Sequence, residues 1–283
     1  MTKYAILGVT GHFGNNALKE LLKIVSPSDV IGIARNLDKA QKMVPKGIEI
    51  RPGDYEHPED LPESLVGVDR LLFVSSRATP TMSRVDQHSS IIRAAIEGGV
   101  KYIAYTSFPH SDTSKSVLAS DHRETEREII DAGFDYSFLR NNFYLEDELP
   151  RLKAADEGKP FVHAAGYGRV GWALENEYSE AAAKVLAMDN PKKVYEFAGP
   201  ALTYGELAES MNGDFELSET DLETYRDYLE DQDLSEPLIR IALLNQQAIL
   251  EGQLDEETSD LPIVLGHNLM PIEEAIKIVL RNK

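Results

Sequence analysis

Short, nearly unbroken apolar runs punctuate the first half of the chain: Tyr4 to Leu7, Val30 to Ala34, Ile48 to Ile50, Leu71 to Val74, Tyr102 to Thr106 and Tyr136 to Leu139. Runs this short predict strands, and their continuous rather than alternating hydrophobicity marks strands covered on both faces. Between several of them, apolar positions recur at helical spacing. Helices are expected over His12 to Ile24, Asp38 to Met43, Ser83 to Glu97 and Leu118 to Asp131, with Gly98-Gly99 and Gly133 as stops. Strands separated by helices imply right-handed parallel crossovers, so the pattern predicts an α/β fold built on a doubly wound parallel sheet.

After about Arg140 the rhythm changes. An extended segment at Pro160 to His163, a helix at Tyr178 to Met188 and a strand at Val194 to Phe197 are expected, followed by three more helices. Thr203 with Glu206 has the spacing of a capping box for the first of these, and Pro271 is placed to start the last as its N1 residue. Residues 1–140 are therefore read as a nucleotide-binding domain. Residues 141–283 are read as a smaller α/β lobe over the carboxyl edge of the sheet, with some segments returning to that sheet.

The first strand runs directly into Gly8-Val9-Thr10-Gly11-His12-Phe13-Gly14 and then into a helix. A glycine-rich turn at that junction brings backbone N–H groups and the positive end of a helix to one point, where a pyrophosphate can sit. Gly8 permits the tight turn, Gly11 the approach of the phosphates, and Gly14 the packing of helix on strand. At the end of the second strand, where an NAD-preferring fold carries an acidic residue for the ribose 2′-hydroxyl, the chain has Ala34 followed by Arg35. A guanidinium there suits a 2′-phosphate, so NADPH is expected ahead of NADH. Ser75, Ser76 and Arg77 follow the fourth strand beside the expected cofactor, or form a simple turn. Asp54-Tyr55 stands either at the adenine or in ordinary turn chemistry.

Composition narrows the classes. The 283 residues are 42% hydrophobic, contain no cysteine and carry a formal charge of -19. Thiolate chemistry and cysteine-bound zinc are excluded, and a polyanionic partner such as nucleic acid is disfavoured. No apolar run has the ~20 residues of a membrane span, and a cytoplasmic location is the expectation. The acidic stretches Glu216 to Asp233 and Asp255 to Asp260 read as solvated helical faces. Seven histidines without ligand spacing, and no G-x-S-x-G elbow, leave metal and triad hydrolase readings without support.

The glycine turn, Ala34-Arg35-Asn36, Leu72-Phe73-Val74-Ser75-Ser76 and Lys101-Tyr102-Ile103-Ala104-Tyr105-Thr106-Ser107 together resemble the NmrA-like atypical short-chain dehydrogenase/reductase family, and within it the NAD(P)H:quinone oxidoreductase type 2 group. His122-Arg123-Glu124-Thr125-Glu126, Leu139-Arg140-Asn141 with Tyr144, Ala164-Ala165-Gly166, and Glu180 to Ala183 ahead of Val194 to Gly199 extend the likeness to about Leu207. His12-Phe13, Asn142-Phe143 and the acidic segment after Phe215 depart from that pattern. The resemblance implies a Rossmann-type domain that binds NADPH and a small lobe closing over a quinone-like acceptor. By position it implies that Gly8, Thr10, Gly11, His12, Phe13 and Gly14 hold the pyrophosphate, Arg35 the 2′-phosphate, and Ser75, Ser76 and Arg77 the cofactor's flank. Arg140, Asn141, Asn142, Phe143 and Tyr144 would lie along the nicotinamide end.

None of the tyrosines has a lysine four residues on, so the Tyr-Lys pair of alcohol and ketone chemistry is missing. A quinone needs less, because hydride addition leaves a stabilised anion that water or a modest donor can protonate. Thr106, Ser107, Phe108, His110 and Tyr144 are the candidate acceptor-lining residues, with His122 as a further donor candidate; each also has a structural reading as strand cap, turn or core. His122 and Glu126, four apart on a helix, read as a surface pair. No catalytic residue and no metal ligand is assigned. Two function classes stay open: an NADPH-dependent quinone reductase, and a non-catalytic NADP(H) sensor acting through a protein partner. A homodimer is compatible with either.

Overall fold

The computed structural model describes residues 1–257 and 260–281. By compactness it divides into two units. The first comprises Met1–Ser111, Asp121–Arg140 and Asn176–Tyr195, and the second Asp112–Ser120, Asn141–Glu175 and the residues from Glu196 onward.

The first unit follows the predicted alternation, with one helix, α3, that was not expected: β1 (Tyr4–Leu7), α1 (His12–Leu21), β2 (Val30–Ala34), α2 (Leu37–Met43), β3 (Glu49–Pro52), α3 (Leu61–Leu65), β4 (Arg70–Phe73), α4 (Arg84–Gly98), β5 (Tyr102–Ser107), α5 (Ser120–Asp131) and β6 (Asp135–Asn141). After α6 (Leu149–Asp156) and β7 (Phe161–His163) of the second unit, the chain supplies α7 (Glu175–Ala187) and β8 (Val194–Phe197). The sheet order is β3-β2-β1-β4-β5-β6-β8. Its pairs from β3 to β6 are all parallel, and β6 and β8 advance together, with Phe138 donating to the Lys193 carbonyl and Asn142 to that of Phe197. This is the doubly wound Rossmann order, reversing between β1 and β4, and ligands bind at the carboxyl ends of the strands beside such a reversal.

The apolar runs are continuous because both faces are covered. Every residue of β2 and β5 is buried. On one face Ala5, Leu7, Ile31, Ile33, Leu71, Phe73, Ile103 and Tyr105 pack with Leu61 and Leu65 of α3 and Ile91, Ile92 and Ala95 of α4. Burying each large aliphatic or aromatic side chain is worth about 1.5–3 kcal/mol, which makes this face a principal anchor of the sheet. Ser83 caps α4 by accepting from the Asp86 N–H (3.1 Å), and Gly99 ends it in the left-handed conformation (φ 78°). α1 is shorter than expected: it closes at Leu21, and Ile24 lies in a following turn.

The second unit adds α8 (Tyr204–Glu209), β9 (Leu217–Glu219), α9 (Leu222–Asp231), α10 (Glu236–Leu250), α11 (Asp260–Leu265) and α12 (Ile272–Arg281). Among the described residues five helices follow β8, not the three expected; the first, α8, is the one that the Thr203–Glu206 spacing announces. The Thr203–Glu206 capping box forms in both directions. Pro271 stands one residue ahead of α12, its carbonyl accepting from Glu274 and Ala275, and is not N1. The acidic stretch from Glu216 to Asp233 is not one helical face. Leu217–Glu219 pairs in parallel with β7, and only α9 beyond it is helical. Of the stretch Asp255 to Asp260, two positions lie outside the described residues. Val162, Ala164, Tyr225, Leu229 and Ile239 form the small core beneath.

Candidate functional site

At the end of β1 the chain turns sharply. Gly8 takes a left-handed backbone (φ 70°), and the N–H groups of Gly8 and Val9 both donate to the Ile33 carbonyl of β2 (3.0 and 3.3 Å). Gly11 donates to the Gly8 carbonyl (2.9 Å) and then opens α1 as its N-cap. Having no side chain, Gly11 cannot cap the first turn, and no acidic residue stands there. The positive helix end is thus left for an external anion. Gly14 is fixed by space, since a Cβ there would lie 2.4 Å from the Gly8 carbonyl oxygen and 3.1 Å from that of Leu7. Asn15, a buried polar residue on the first turn of α1, pins the turn by donating to the Val9 carbonyl (3.1 Å). Thr10 is half-buried, Gly11 and His12 are exposed, and Phe13 is buried.

Arg35 is exposed at the end of β2, and Asn36 behind it caps α2 by accepting from the Lys39 N–H (2.8 Å). Asp54 closes a local turn onto the Glu56 N–H (3.1 Å), while Tyr55 packs against the core and donates to the Val74 carbonyl (3.2 Å). Glu56 accepts from the hydroxyls of Thr81 and Thr79, joining the segments after β3 and β4. Those hydroxyls, with a smaller contribution from Arg35, hold its carboxyl below the ordinary range.

The Ser75-Ser76-Arg77 segment is an ordered loop rather than a simple turn. The Ser75 N–H donates to Thr106 Oγ1 (2.8 Å), and that hydroxyl donates to Ser75 Oγ (3.2 Å). Ser76 donates its N–H to His88 Nε2 (3.0 Å) and accepts at its carbonyl from Arg84 Nε (2.8 Å), and Gln87 holds the Arg77 carbonyl (3.1 Å). His88, Arg84 and Gln87 were missed because helical periodicity shows an inward face but not what its polar members hold. Ser76 Oγ is buried without a partner among the described residues.

Thr106 and Ser107 are buried at the end of β5. Ser107 Oγ donates to Glu126 Oε1 (2.6 Å), and Glu126 in turn binds Arg140. This corrects one expectation: His122 and Glu126 are not a surface pair but face inward, both nearly inaccessible. The Arg140 guanidinium bonds Glu126. Phe108 lies against the His122 ring (centroids 6.1 Å apart), and His110 holds a left-handed backbone (φ 46°) that a non-glycine residue rarely adopts.

In the second unit, Asn141 donates from Nδ2 to the Tyr144 hydroxyl (3.2 Å), while its Oδ1 is buried with no partner among the described residues. Asn142 is committed internally, donating to the Leu254 carbonyl (3.0 Å) and accepting from the Phe143 N–H (2.8 Å). Phe143 and Tyr144 are half-buried, and desolvation raises the Tyr144 phenol above its ordinary value.

Within the first unit, a glycine turn closed by Gly14, a positive helix end, an exposed guanidinium at the end of β2 and an unsatisfied buried oxygen at Ser76 suit a phosphorylated dinucleotide. The family model for NAD(P)H binding matches residues 8–170. Quinone oxidoreductase 2 of Escherichia coli (strain K12) is 35% identical over 281 residues, 96% of this chain and 96% of its own. The crystal structure of the E. coli NADPH-dependent quinone oxidoreductase complexed with NADPH superposes with a TM-score of 0.92 at 33% identity, covering 98% of this chain and 99% of that one. Citrobacter sp. triphenylmethane reductase complexed with NADP(H) superposes equally well, with a TM-score of 0.92 at 31% identity, over 98% and 100% of the two chains.

Proposed function

We infer what the site does from one premise: the chain belongs to the NAD(P)H-binding family. It is an NADPH-dependent oxidoreductase that passes a hydride to a quinone-like small-molecule acceptor, as its relatives' names and full-length likeness support. The observation that carries the cofactor half is the turn after β1, where Gly8 takes a left-handed backbone, Gly14 lets α1 pack onto the Gly8 carbonyl, and Gly11 opens α1 with no capping side chain. In this reading the turn from Gly8 to Gly14 and the start of α1 hold the pyrophosphate. Arg35 pairs with the 2′-phosphate, Ser75 to Arg77 flank the cofactor, and Asn141 offers its unsatisfied Oδ1 to a donor at the nicotinamide end.

Bound NADPH supplies the hydride and the chain supplies position, which alone can lower a barrier by several kcal/mol. No Tyr-Lys acid is required for a quinone, so Tyr144, its hydroxyl kept protonated, orients or donates a hydrogen bond without having to ionise. Thr106, Ser107, Phe108 and His110 line the acceptor side. Relatives named as reductases along the whole chain favour turnover over a cofactor sensor.

Among the described residues no helix is long and apolar enough to cross a membrane. A cytoplasmic location belongs to the same proposal, as does a homodimer, for which the exposed Leu238 and Ile241 of α10 offer an apolar patch. Stopped-flow mixing with NADPH and a small quinone tests the enzymatic core. Quinone-dependent loss of the reduced-nicotinamide absorbance is expected, and its absence with every quinone tried overturns the reading.

A further inference from the structure

The Ser76 peptide unit is gripped from both sides by one helix. His88 Nε2 receives its N–H at 3.0 Å and Arg84 Nε donates to its carbonyl at 2.8 Å. His88 is fully buried, its ring edge-on to Phe73 (centroids 4.9 Å apart) and to Tyr105 (5.6 Å), so it cannot swing away from the loop.

The donors around this ring fix which nitrogen of each histidine carries its proton. A backbone N–H can only donate, so His88 Nε2 is the acceptor and its proton sits on Nδ1. From there it goes to Thr125 Oγ1 (2.8 Å), whose own proton goes to the Asp121 carbonyl (2.8 Å). A guanidinium likewise only donates, and Arg84 Nη1 faces His122 Nε2 (3.4 Å). The His122 proton is therefore on Nδ1, directed at the Tyr105 hydroxyl (2.9 Å). Both histidines are therefore neutral and protonated on Nδ1, with the Tyr105 hydroxyl between them, 2.9 Å from His122 Nδ1 and 3.4 Å from His88 Nδ1. A second proton on His88 would set N–H against N–H at Ser76.

We propose that His88 is a positioning residue for the cofactor: by accepting the Ser76 N–H, with Arg84 holding the carbonyl, it presets the Ser75–Arg77 loop in the shape that receives the nicotinamide nucleotide. The proposal rests on the reading that this loop flanks NADPH. It gives His88 a role for which no substrate contact is needed, and it accounts for a histidine, a residue that both accepts at one nitrogen and donates at the other, in the middle of an apolar helix face. Phenylalanine would fill the same volume and leave the Ser76 N–H unsatisfied. Glutamine can accept with Oε1 and donate with Nε2.

The test compares the full-length wild type with His88→Phe, His88→Gln and Arg84→Gln. NADPH affinity is measured by calorimetry, quinone turnover by steady-state kinetics, and the backbone amide of Ser76 by hydrogen exchange without cofactor. His88→Phe is expected to weaken NADPH binding about tenfold, the effect of leaving one buried donor unpaired, and to speed Ser76 exchange by a similar factor. KM for NADPH should rise more than kcat falls, and His88→Gln should restore both binding and exchange to within about threefold of wild type. Wild-type affinity and a slow Ser76 amide in His88→Phe overturn the proposal, as does a His88→Gln protein no better than His88→Phe, which would mean a packing role alone. If His88→Phe does not fold, Arg84→Gln decides by the same two readouts, unchanged values overturning it. Absence of NADPH uptake by the wild type would refute the cofactor reading and with it the positioning role, while Ser76 exchange would still report whether the clamp exists.

Discussion

Glu126 and Arg140 form a buried two-point ion pair, Arg140 Nε to Oε1 at 3.0 Å and Nη2 to Oε2 at 2.7 Å, with both side chains only 6% exposed. Ser107 donates to the same carboxylate, so the end of β5, the inner face of α5 and β6 are joined through one residue. Glu126→Leu strips these two contacts from a buried guanidinium and is expected to lower unfolding free energy by about 3–5 kcal/mol. The Glu126→Leu, Arg140→Leu double variant should recover most of that loss, because both charges are then gone. Urea unfolding of the three proteins checks it, and additive losses would contradict the pairing.

Gly14→Ala should damage both fold and binding. Its Cβ would lie 2.4 Å from the Gly8 carbonyl, so α1 must move off the turn, at about 1–3 kcal/mol. Since the same movement spoils the anion cradle, NADPH affinity should fall by at least about tenfold. Calorimetry and thermal unfolding are the measurements, and unchanged binding would show that the cradle is not the pyrophosphate site.

Arg35→Ala separates the two cofactors. Removing a charge-assisted contact worth about 1.5–3 kcal/mol should weaken NADPH binding by roughly 10- to 100-fold. NADH, lacking the 2′-phosphate, should change by less than about threefold. Titration of each reduced cofactor against wild type and variant distinguishes this from a general loss of binding.

The fold was legible because β1, β2, β4 and β5 are nearly continuous apolar runs covered on both faces, and the turn at Gly8 because glycine spacing is itself the steric requirement. The helix α11 was not legible: at six residues it is too short to establish a helical period, whereas the equally short α8 was announced by its Thr203–Glu206 capping box. Glu126, His122 and His88 show a second limit. Polar residues on the inward face of α4 or α5 look like ordinary surface positions until the tertiary partners Arg140, Tyr105 and Ser76 arrive from distant segments.

Stability should decline on acidification through the two buried histidines. Desolvation, aided by Arg84, lowers His88 from its ordinary 6.5 to about 3 and drives His122 well below 6.5, with His88 adding to the effect. The unfolded chain takes up protons near pH 6.5 and the native protein does not, so protonation favours unfolding. The contribution is complete above about pH 6.5 and falls as the pH drops from there toward 3, by up to about 1.4 kcal/mol per pH unit per histidine. Unfolding free energy should therefore be roughly 2–3 kcal/mol lower at pH 5.5 than at pH 7.5, measured by urea titration. A His122→Phe variant should lose about half of that slope, and a wild type with no acid slope would refute the neutral-pair assignment.

Tyr144 distinguishes quinone chemistry from the alcohol and ketone kind. Its hydroxyl accepts from Asn141 Nδ2 at 3.2 Å, and desolvation holds its ionisation above the ordinary tyrosine range. It therefore remains a neutral phenol throughout the working pH range and contributes no basic limb to the rate profile between about pH 6 and 9. If its part is to orient the acceptor, Tyr144→Phe should reduce kcat with a quinone by less than about tenfold, whereas an obligatory proton donor would be worth about 10²- to 10⁴-fold. The same variant should leave NADPH affinity within about threefold, because the orphaned acceptor at Asn141 Oδ1 is untouched. Steady-state kinetics across pH with wild type and variant provide the check. A loss of a hundredfold or more, or a pH limb that disappears with the hydroxyl, would make Tyr144 the acid of the reaction and remove the reason for preferring a quinone acceptor to a ketone.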